Sequence, residues 1–312
     1  MSPRSASVPT PTTSGTELSA RQIGAWRRRL DERLEVQRDL PWRRTRDPWC
    51  VLVAEVMLQQ TQVRRVLPAY ASFLTEFPDP PTCATAGSGA VIRAWEGLGY
   101  HRRALSLHGA AVAITTEHRG VVPSTFDELI ALPGVGAYTA RAVLAFAFER
   151  DVAVVDTNVA RILARAIAGT PLRARAAQEL ADQLVSRGEG WKHNQAMLDL
   201  GAMTCKASPE CGSCPLRRSC RWARSGFAAP DPATLTAGTS RPQARFEGSD
   251  RQARGKVLAK ARAGVVSSLM LKQMGESLGA ERVARATSGL IADGLLVPSG
   301  DGVRLVESSS AL

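Results

Sequence analysis

The sequence predicts an all-α protein that ends in a small module of three helices and a β-hairpin. Two observations lead to this fold class. Apolar residues recur at helical spacing in ten segments before residue 220, and these segments do not alternate with strands. After a stretch rich in Pro, Thr, Ala and Gly, three further helical patterns precede two short apolar runs joined by a glycine-containing turn.

The first helix begins with a capping signal. Residues 1–17 are rich in Ser, Thr and Pro and lack apolar periodicity, so we expect a disordered arm there. Ser19 and Gln22 then form a capping-box pattern. Nine further helices are predicted over Trp49–Gln59, Gln62–Glu76, Ala90–Glu96, Arg102–His118, Phe126–Leu132, Tyr138–Phe148, Thr157–Ala168, Arg173–Arg187 and His193–Met203.

The chain after residue 227 predicts a linker and a second domain. Residues 228–243 hold Pro, Thr, Ala and Gly in the proportions of a linker. Residues 244–312 follow the element order of a winged-helix-like domain. This order does not separate DNA binding from protein docking or from simple stabilisation of the first domain. The elements are predicted at Asp250–Arg262, Ser267–Leu278, Ala280–Asp293, Leu295–Pro298 and Val303–Val306.

The charge balance favours a polyanionic partner. The 312 residues include 40 Lys and Arg against 29 Asp and Glu, a formal net charge of +11. Cationic surfaces release counterions from nucleic acid, although ribosomal or anionic-membrane partners fit the same excess. No run of about 20 apolar residues, the length of a membrane-spanning helix, occurs, and no apolar signal core precedes Leu18. We therefore expect a soluble, cytoplasmic monomer with no membrane partner.

Four of the six cysteines form a compact set of candidate metal ligands. They are spaced C-x5-C-x2-C-x5-C, and they are Cys205, Cys211, Cys214 and Cys220. Thiolates close in sequence suit an iron-sulfur cluster or a structural zinc ion. Zinc modules more often show two C-x2-C pairs, so the single pair favours iron-sulfur. Four unligated thiols or two disulfides are the alternatives, whereas Cys50 and Cys83 lie outside the set.

A glycine-containing turn joins two of the predicted helices, where the chain reads LPGVGAYTA from Leu132 to Ala140. Glycines at Gly134 and Gly136, on either side of Val135, permit positive φ angles and a close approach of backbone to a ligand. The free N–H groups of the following helix can bind a phosphate oxygen. A tight corner between two helices, with the glycines acting only as caps, is the alternative.

Two carboxylates stand in contrasting surroundings. Glu55 interrupts the apolar run CVLVAEVML, and a partly desolvated glutamate holds a proton more readily near neutral pH, as a general acid requires. Asp156 follows an apolar stretch and precedes a helix, whose N-terminus favours an anion that could stabilise a cationic sugar. One acid and one anion suit N-glycosidic cleavage. Alternatively, Asp156 is only a helix cap and Glu55 only a paired core carboxylate.

The LPGVGAYTA turn resembles the helix-hairpin-helix of the base-excision glycosylase superfamily, whose members follow it with an aspartate and often with a four-cysteine iron-sulfur loop. Four further motifs resemble the adenine DNA glycosylases, which remove adenine mispaired with 8-oxoguanine. They are EVMLQQTQV from Glu55, GLGY from Gly97, VDTNV from Val155 and NQAMLDLGAM from Asn194. The resemblance implies a two-lobed helix-hairpin-helix glycosylase domain over 18–227, with an iron-sulfur loop over 205–220 that holds one 4Fe-4S cluster.

This resemblance also implies roles for three residues. Glu55 is expected to protonate N7 of a flipped adenine, and Asp156 to stabilise the oxocarbenium-like sugar. Tyr138 is expected to position these acids and the sugar. The related endonuclease III glycosylase-lyases have at this position a lysine that forms a Schiff base, which a tyrosine cannot make. The resemblance therefore implies a monofunctional glycosylase that uses water.

Further positions match family residues that contact DNA, and the expected partner is double-stranded DNA containing an adenine mispair. Three groups are expected: opposite-strand residues, adenine-pocket residues and phosphate-binding backbone. In that order they are Gln60, Thr61 and Leu98; Trp42, Arg43 and Asp199; and Gly134, Val135 and Gly136. Tyr100 is a further expected contact with DNA. For Leu98, Trp42 and Tyr100, plain core packing is the alternative.

Two departures from the family pattern stand out. Five residues separate Cys205 from Cys211 where six are usual. Many relatives end in a larger β-rich domain that helps to recognise 8-oxoguanine, whereas the 85 residues after Phe227 in this sequence have a helical pattern, so we expect weaker discrimination of the opposite base or discrimination by the catalytic lobe. Two other functions stay open at this point. One is a glycosylase-lyase acting on oxidised pyrimidines, against which Tyr138 argues. The other is a non-enzymatic iron-sulfur DNA-binding protein, against which the pair of carboxylates argues. A nucleoid-associated location in the cytoplasm is expected.

Overall fold

The computed structural model describes residues 18–236 and 245–307. Within these ranges the chain is helical apart from one β-hairpin, turns and loops, which confirms the predicted all-α class. The disordered arm predicted over 1–17 lies outside the described residues. No helix in the described part of the chain is long and apolar enough to cross a membrane.

The described residues contain fourteen α-helices and one two-stranded hairpin. The helices are α1 Ala20–Arg33, α2 Pro48–Leu58, α3 Val63–Glu76, α4 Pro80–Ala94, α5 Arg102–Glu117, α6 Phe126–Ala131, α7 Ala137–Phe146, α8 Thr157–Ile162, α9 Ala174–Leu184, α10 Gly190–Met203, α11 Arg221–Arg224, α12 Asp250–Ala263, α13 Ser268–Leu278 and α14 Ala280–Ala292. The strands are β1 Leu296–Ser299 and β2 Gly302–Leu305. A 3₁₀ turn spans Pro41–Arg43, and a π-helical segment, Leu163–Ala168, continues α8.

The chain divides into two compact units. The first unit contains 18–38 and 151–236, and the second contains 39–150 and 245–307. The second unit therefore includes both the segment of the predicted hairpin turn and the C-terminal helices. Each candidate site residue belongs to one of these two units.

In the first unit, α1 packs against α9 and α8 packs against α10. The predicted capping box is confirmed, because the Ser19 hydroxyl accepts from the Gln22 N–H at 3.3 Å and the Gln22 side chain accepts from the Ser19 N–H at 2.9 Å. Trp26 and Leu30 on the inner face of α1 enter a core formed mainly by α8, α9, α10 and the π-helical segment. This core fixes the start of α8, which Asp156 precedes.

Helix α2 packs against α3, α5 and α7 in the second unit. All of residues 51–57 are buried, so this helix is covered on every side, as its apolar sequence predicts. The indole N–H of Trp49 donates to the Phe77 carbonyl at 3.0 Å, and Phe73 packs edge-on against Phe77 and Trp95. The neighbours of α2 thus form a rigid aromatic core around it.

The C-terminal segment has the predicted order of three helices followed by a hairpin. β1 pairs with β2 in antiparallel fashion, with Leu296 opposite Leu305, and an isolated bridge joins Val266 to Val303. Helices α12 and α13 both pack against α14. The winged-helix assignment and the predicted domain boundaries stay predictions, and the segment belongs to the same compact unit as 39–150.

Helix α4 differs most from its prediction. It was predicted over Ala90–Glu96, and it begins ten residues earlier, at Pro80. The Asp79 carboxylate caps it by accepting the Thr82 N–H at 2.8 Å. Gly87 interrupts the helix with a φ of 80°, so the helical periodicity is broken in the middle. The first half therefore lacks the continuous apolar stripe that identifies a helix.

Part of the predicted linker is packed against the first unit. The Thr236 hydroxyl is buried and accepts the Leu172 N–H at 3.2 Å, and Asp231 forms an ion pair with Arg165 at 2.6 Å. These polar contacts were not visible in the composition that suggested a linker. Residues 237–243 of the predicted linker lie outside the described residues.

Candidate active site and thiol pocket

Glu55 lies in the middle of α2, in the second unit. The Asp47 carboxylate caps this helix by accepting the Cys50 N–H at 2.9 Å, and Pro48 occupies its first position. Glu55 is 7% exposed. Its helical neighbours Val51, Leu52 and Val56 are buried and apolar. The structure therefore places the carboxyl group in a largely desolvated position, as the sequence predicts.

The carboxyl end of α2 is held by Arg103, a residue that the sequence reasoning missed. One nitrogen of its guanidinium, Nη1, donates to three backbone carbonyls at 2.8, 2.9 and 2.6 Å, those of Val56, Met57 and Gln59. These carbonyls lie where a helix end leaves acceptors without intrahelical partners. Burial lowers the pKa of Arg103 to about 10. The sequence could have indicated this residue only as an arginine close to the GLGY motif, because sequence spacing does not identify the carbonyls to which it donates.

The same arginine reaches the loop over residues 97–100, which carries Leu98 and Tyr100. Its Nη2 donates to the Gly99 carbonyl at 3.1 Å and to the Thr61 hydroxyl at 2.9 Å. Leu98 is 1% exposed, whereas Tyr100 is 43% exposed. Leu98 is therefore packed in the core and its predicted contact with the opposite strand stays a prediction, whereas Tyr100 is the side chain of this loop that faces solvent.

Helix α7, which begins beside Tyr138, packs against α2. The Gln59 amide donates to the Thr139 hydroxyl at 3.4 Å, so the end of α2 meets the first turn of α7. Tyr138 is half-buried on this turn. Glu55 and Tyr138 thus belong to two helices that pack together within the second unit.

The glycine turn between α6 and α7 has the predicted shape, with one correction. Gly134 has a φ of 76°, but Gly136 has a φ of −94°, which any residue adopts. Gly136 is the N-cap residue of α7 and has no side chain with which to cap it. Val135 is buried, and its N–H donates to the Leu132 carbonyl at 3.1 Å. The first-turn N–H groups of α7 therefore receive no bond from a capping side chain.

Trp42 and Arg43 lie on the 3₁₀ turn, and Gln60 and Thr61 lie just after α2. Trp42 is buried and meets Tyr70 edge-on at 5.4 Å between ring centroids. Arg43 is also buried. Gln60 is exposed and has a φ of 54°, in the left-handed region that few non-glycine residues adopt. These four residues are all part of the second unit.

Asp156 lies in the first unit, at the start of α8. Asn194, a buried amide, accepts the Val154 N–H at 2.8 Å and donates to the Val152 carbonyl at 2.8 Å, which fixes the extended segment leading to Asp156. The Asp156 carboxylate accepts the N–H groups of Asn158 and Val159, each at 2.8 Å. It therefore caps α8, as the sequence predicts.

A line of polar contacts runs from Asp156 toward the cysteine loop. The Asn158 amide donates to Asp156 at 2.6 Å, and Arg161 donates to the Asn158 side chain at 2.7 Å and to the Cys205 carbonyl at 3.1 Å. Burial raises the pKa of Asp156 above its ordinary value. The hydrogen bonds from Val159 and Asn158, together with the Arg161 charge, act in the opposite direction by stabilising the anion.

Asp199 is 1% exposed and lies on α10. Its carboxylate accepts the backbone N–H groups of Gln37 and Arg38 at 2.7 and 3.0 Å, and it pairs with the Arg38 guanidinium at 2.5 Å. These bonds fasten the segment after α1 to α10 within the first unit. The structure therefore gives Asp199 a clear structural task, whereas its predicted place in the adenine pocket stays a prediction.

The four clustered cysteines line one pocket in the first unit. All are free thiols, so the disulfide alternative is absent among the described residues. Burial raises the pKa of three of these thiols, those of Cys205, Cys214 and Cys220. Thiolates in such surroundings require a cation, which a metal centre supplies.

The lining of this pocket also includes the apolar Leu216 and Ile162. Thiolates hold both structural zinc ions and iron-sulfur clusters, so the donor set fits the predicted cluster.

Arg165 ties the cysteine loop to the rest of the first unit. Its guanidinium donates to the carbonyls of Lys206 and Ala207 at 2.6 and 3.0 Å, and it pairs with Asp231. It also lies over the Trp222 ring at 5.1 Å from the centroid. Arg165 is 3% exposed, and sequence reasoning missed it because its partners are distant in sequence.

The chain is similar to known DNA repair proteins. Residues 53–187 match the HhH-GPD family, described as a superfamily of base excision DNA repair proteins. An adenine DNA glycosylase of Mycolicibacterium smegmatis is 43% identical over 274 residues, which cover 85% of this chain and 90% of that protein. An adenine DNA glycosylase of Mycobacterium tuberculosis is 39% identical over 305 residues, covering 95% and 96%.

The chain belongs to the adenine DNA glycosylase family. As an adenine DNA glycosylase it is a base excision repair enzyme and a hydrolase, and DNA is its partner. A thermostable thymine-DNA glycosylase has a similar structure, with a TM-score of 0.58 and 26% identity over 65% of this chain and 95% of that one. An endonuclease III trapped on DNA shares the fold, with a TM-score of 0.59 and 24% identity over 68% and 100%.

The two glycines of the turn provide a matched pair of variants. A Cβ at Gly134 would lie 2.4 Å from the Ser106 Cβ at a φ of 76°, whereas a Cβ at Gly136 would meet no atom within 4 Å. Gly134→Ala is therefore expected to lower the free energy of unfolding by about 1–3 kcal/mol, and Gly136→Ala by less than about 0.5 kcal/mol. Urea denaturation measures both values. Equal effects of the two substitutions would contradict this account of the turn.

Proposed function

We propose that this enzyme removes adenine opposite 8-oxoguanine or guanine, as a monofunctional glycosylase that does not cut the DNA strand. The observation that carries the proposal is the burial of Glu55 in an apolar helix that packs against the helix bearing Tyr138. A desolvated carboxyl group is suited to proton donation. At the position where the related glycosylase-lyases have a lysine amine, this chain has the phenol of Tyr138, and a phenol cannot form an imine.

In the proposed reaction, the adenine is flipped out of the duplex and Glu55 donates a proton to N7 of the base. The electron pair of the bond between C1′ and N9 then passes to the protonated base, which leaves as neutral adenine. Water adds to C1′ and loses a proton, which yields an abasic site. Proton donation is needed because anionic adenine is a poor leaving group.

Asp156 is proposed to stabilise the cationic sugar that forms when the base leaves. Its carboxylate accepts two backbone N–H groups and the Asn158 amide at the N-terminus of α8. Burial raises the pKa of this carboxyl group, and the hydrogen bonds and the Arg161 charge act in the opposite direction by stabilising the anion. A negative group that is fixed in place before the reaction stabilises developing positive charge without reorganisation. Tyr138 is proposed to position the acids and the sugar.

The opposite strand and the phosphates are proposed to meet a small group of residues in the second unit. Gln60 and Tyr100 are exposed, and both have positive φ angles, at 54° and 47°. Thr61 is bonded to Arg103 beside them, whereas Leu98 is buried. The first-turn N–H groups of α7, with Gly134, Val135 and Gly136, are proposed to bind a phosphate. Trp42, Arg43 and Asp199 are proposed to line the adenine pocket.

We further propose that the four clustered cysteines hold one 4Fe-4S cluster. Their thiols line one pocket, and the free thiols of Cys50 and Cys83 lie outside it. The cluster would supply the cation that buried thiolates need and would stiffen a basic loop that includes Arg217 and Arg218. The net charge of +11 suits a DNA duplex as the partner. The enzyme is proposed to act as a monomer in the bacterial cytoplasm, near the nucleoid, with no membrane partner.

A strand-scission assay tests the proposed activity. Purified enzyme would be incubated with duplexes that carry adenine opposite 8-oxoguanine, adenine opposite guanine, or thymine glycol. We expect breaks in the two adenine duplexes only after alkali treatment, because the product is an intact strand with an abasic site. Breaks that form without alkali, or breaks confined to the thymine-glycol duplex, would replace the proposal with a glycosylase-lyase.

Two substitutions test the roles of the carboxylates. Glu55→Gln and Asp156→Asn are each expected to lower the single-turnover rate roughly 100-fold or more, because both groups act in the transition state. Binding of the uncleaved duplex is expected to change little. Glu179→Gln, which alters an exposed glutamate paired with Arg175, serves as the control and retains the full rate. A loss of affinity parallel to the loss of rate would show that these carboxylates are structural.

The cluster has a direct spectroscopic test. We expect a brown protein with about four iron atoms per chain, because thiolate-to-iron charge transfer absorbs visible light. Cys214→Ser is expected to reduce the iron content and the colour, and Cys50→Ala, outside the pocket, is expected to preserve both. A colourless preparation with stoichiometric zinc would overturn the iron-sulfur proposal.

A further inference from the structure

The C-terminal segment contacts the loop that carries Tyr100. Arg262, in the last turn of α12, reaches the residues that flank the 97–100 loop on both sides. Its Nη1 donates to the Glu96 carboxylate at 3.1 Å, and its Nη2 donates to the His101 ring nitrogen Nε2 at 2.6 Å. The Arg262 side chain is 13% exposed and the Glu96 side chain is 77% exposed, so the guanidinium is largely buried while the carboxylate faces solvent.

The contact fixes the protonation of His101. A guanidinium is always a donor, so Nε2 of His101 accepts and its proton is on Nδ1. Burial lowers the pKa of His101 to about 4, and the charges of Arg262, Arg103 and Arg254 act in the same direction. The ring is therefore neutral at physiological pH and keeps a lone pair for Arg262.

The 97–100 loop has an unusual backbone that needs support from its neighbours. Gly97 and Gly99 have φ angles of 78° and 70°, and Tyr100 has a φ of 47°. A tyrosine in this region is strained and persists only where the surroundings hold it. Arg103 lies 5.5 Å from the Tyr100 ring and binds the Gly99 carbonyl, and Arg262 holds the residues at the two ends of the loop.

Further contacts fix the C-terminal segment beside this loop. Arg93 on α4 pairs with Glu307 at 2.6 Å, and Arg102 on α5 pairs with Asp293 at 3.6 Å. At Gly89 on α4, a Cβ would lie 2.9 Å from the carbonyl oxygen of Val306, so the two backbones approach closely. The segment therefore packs along the α4–loop–α5 face within the second unit.

We propose that the C-terminal segment supports the 97–100 loop and that Arg262 is a positioning residue that presents Tyr100 to the duplex. Tyr100 is an exposed aromatic side chain, which can stack on bases or enter a base step. This role rests on the proposed function, in which Tyr100 meets the opposite strand. It assigns to the small C-terminal segment an indirect part in recognising the mispair, without a base contact of its own.

The test compares full-length variants that carry their cofactor. Arg262→Met removes the charge and both donors while keeping much of the side-chain volume. We expect it to weaken binding of a non-cleavable adenine:8-oxoguanine duplex about tenfold, which corresponds to about 1.4 kcal/mol. The single-turnover rate at saturating enzyme is expected to stay within about twofold, because Glu55 and Asp156 are untouched. Arg262→Lys, which retains the charge beside Glu96, is expected to restore part of the affinity.

Arg285→Met is the matched control. It removes one positive charge from the same segment, where Arg285 is 58% exposed and pairs with Asp250 at 3.3 Å and Glu281 at 3.8 Å, both in the C-terminal segment itself. We expect it to bind the duplex like the unmodified enzyme at moderate salt. An equal effect of Arg262→Met and Arg285→Met would overturn the proposal, since general attraction to phosphate would then explain both.

A double-mutant cycle separates positioning from general structural support. If Arg262 acts through Tyr100, adding Arg262→Met to Tyr100→Ala causes no further loss of affinity, and additive losses would overturn the proposal. Thermal melting verifies folding, and Glu96→Gln replaces Arg262→Met in the cycle if that variant does not fold. Release of adenine from a cleavable duplex by the unmodified enzyme tests the proposed function separately, because its absence would reject that function whatever the affinities of the variants.

Discussion

One partly buried guanidinium, that of Arg103, connects the helix of Glu55 with the loop of Tyr100. A helix end leaves carbonyl oxygens with partial negative charge and no intrahelical partner. Arg103 satisfies three of them at the end of α2, and its second nitrogen binds the Gly99 carbonyl. Burying a guanidinium is unfavourable unless such acceptors surround it. The proposed acid and the proposed opposite-strand contact thus depend on the same side chain.

In the first unit, Asp156 has surroundings that differ from those of Glu55. Glu55 lies among buried apolar residues of its own helix, whereas Asp156 accepts hydrogen bonds from the start of α8 and from Asn158. Arg161 extends this polar network to the backbone of Cys205, so the cysteine pocket and Asp156 share one set of hydrogen bonds. The two carboxylates therefore lie in different local surroundings, as the sequence predicts.

Local signals predicted most helices well. The capping box at Ser19 and the apolar spacing behind it placed α1, and the LPGVG turn placed the junction before α7. Prediction was weaker where periodicity was interrupted, as at Gly87 in α4, or where a helix changed type, as in the π-helical segment Leu163–Ala168. Backbone hydrogen-bond type leaves little trace in the apolar pattern, since the same buried residues fit both kinds of helix.

By itself, the sequence determined which residues could carry the chemistry. Glu55 in an apolar run, Asp156 before a helix and four clustered cysteines are local patterns, because burial, capping and ligand spacing act over a few residues. Only the tertiary structure decided that Leu98 is buried while Tyr100 is exposed, and that Arg262 contacts Glu96 and His101. Those outcomes depend on side chains that are distant in sequence, and chain packing alone brings them within hydrogen-bonding distance.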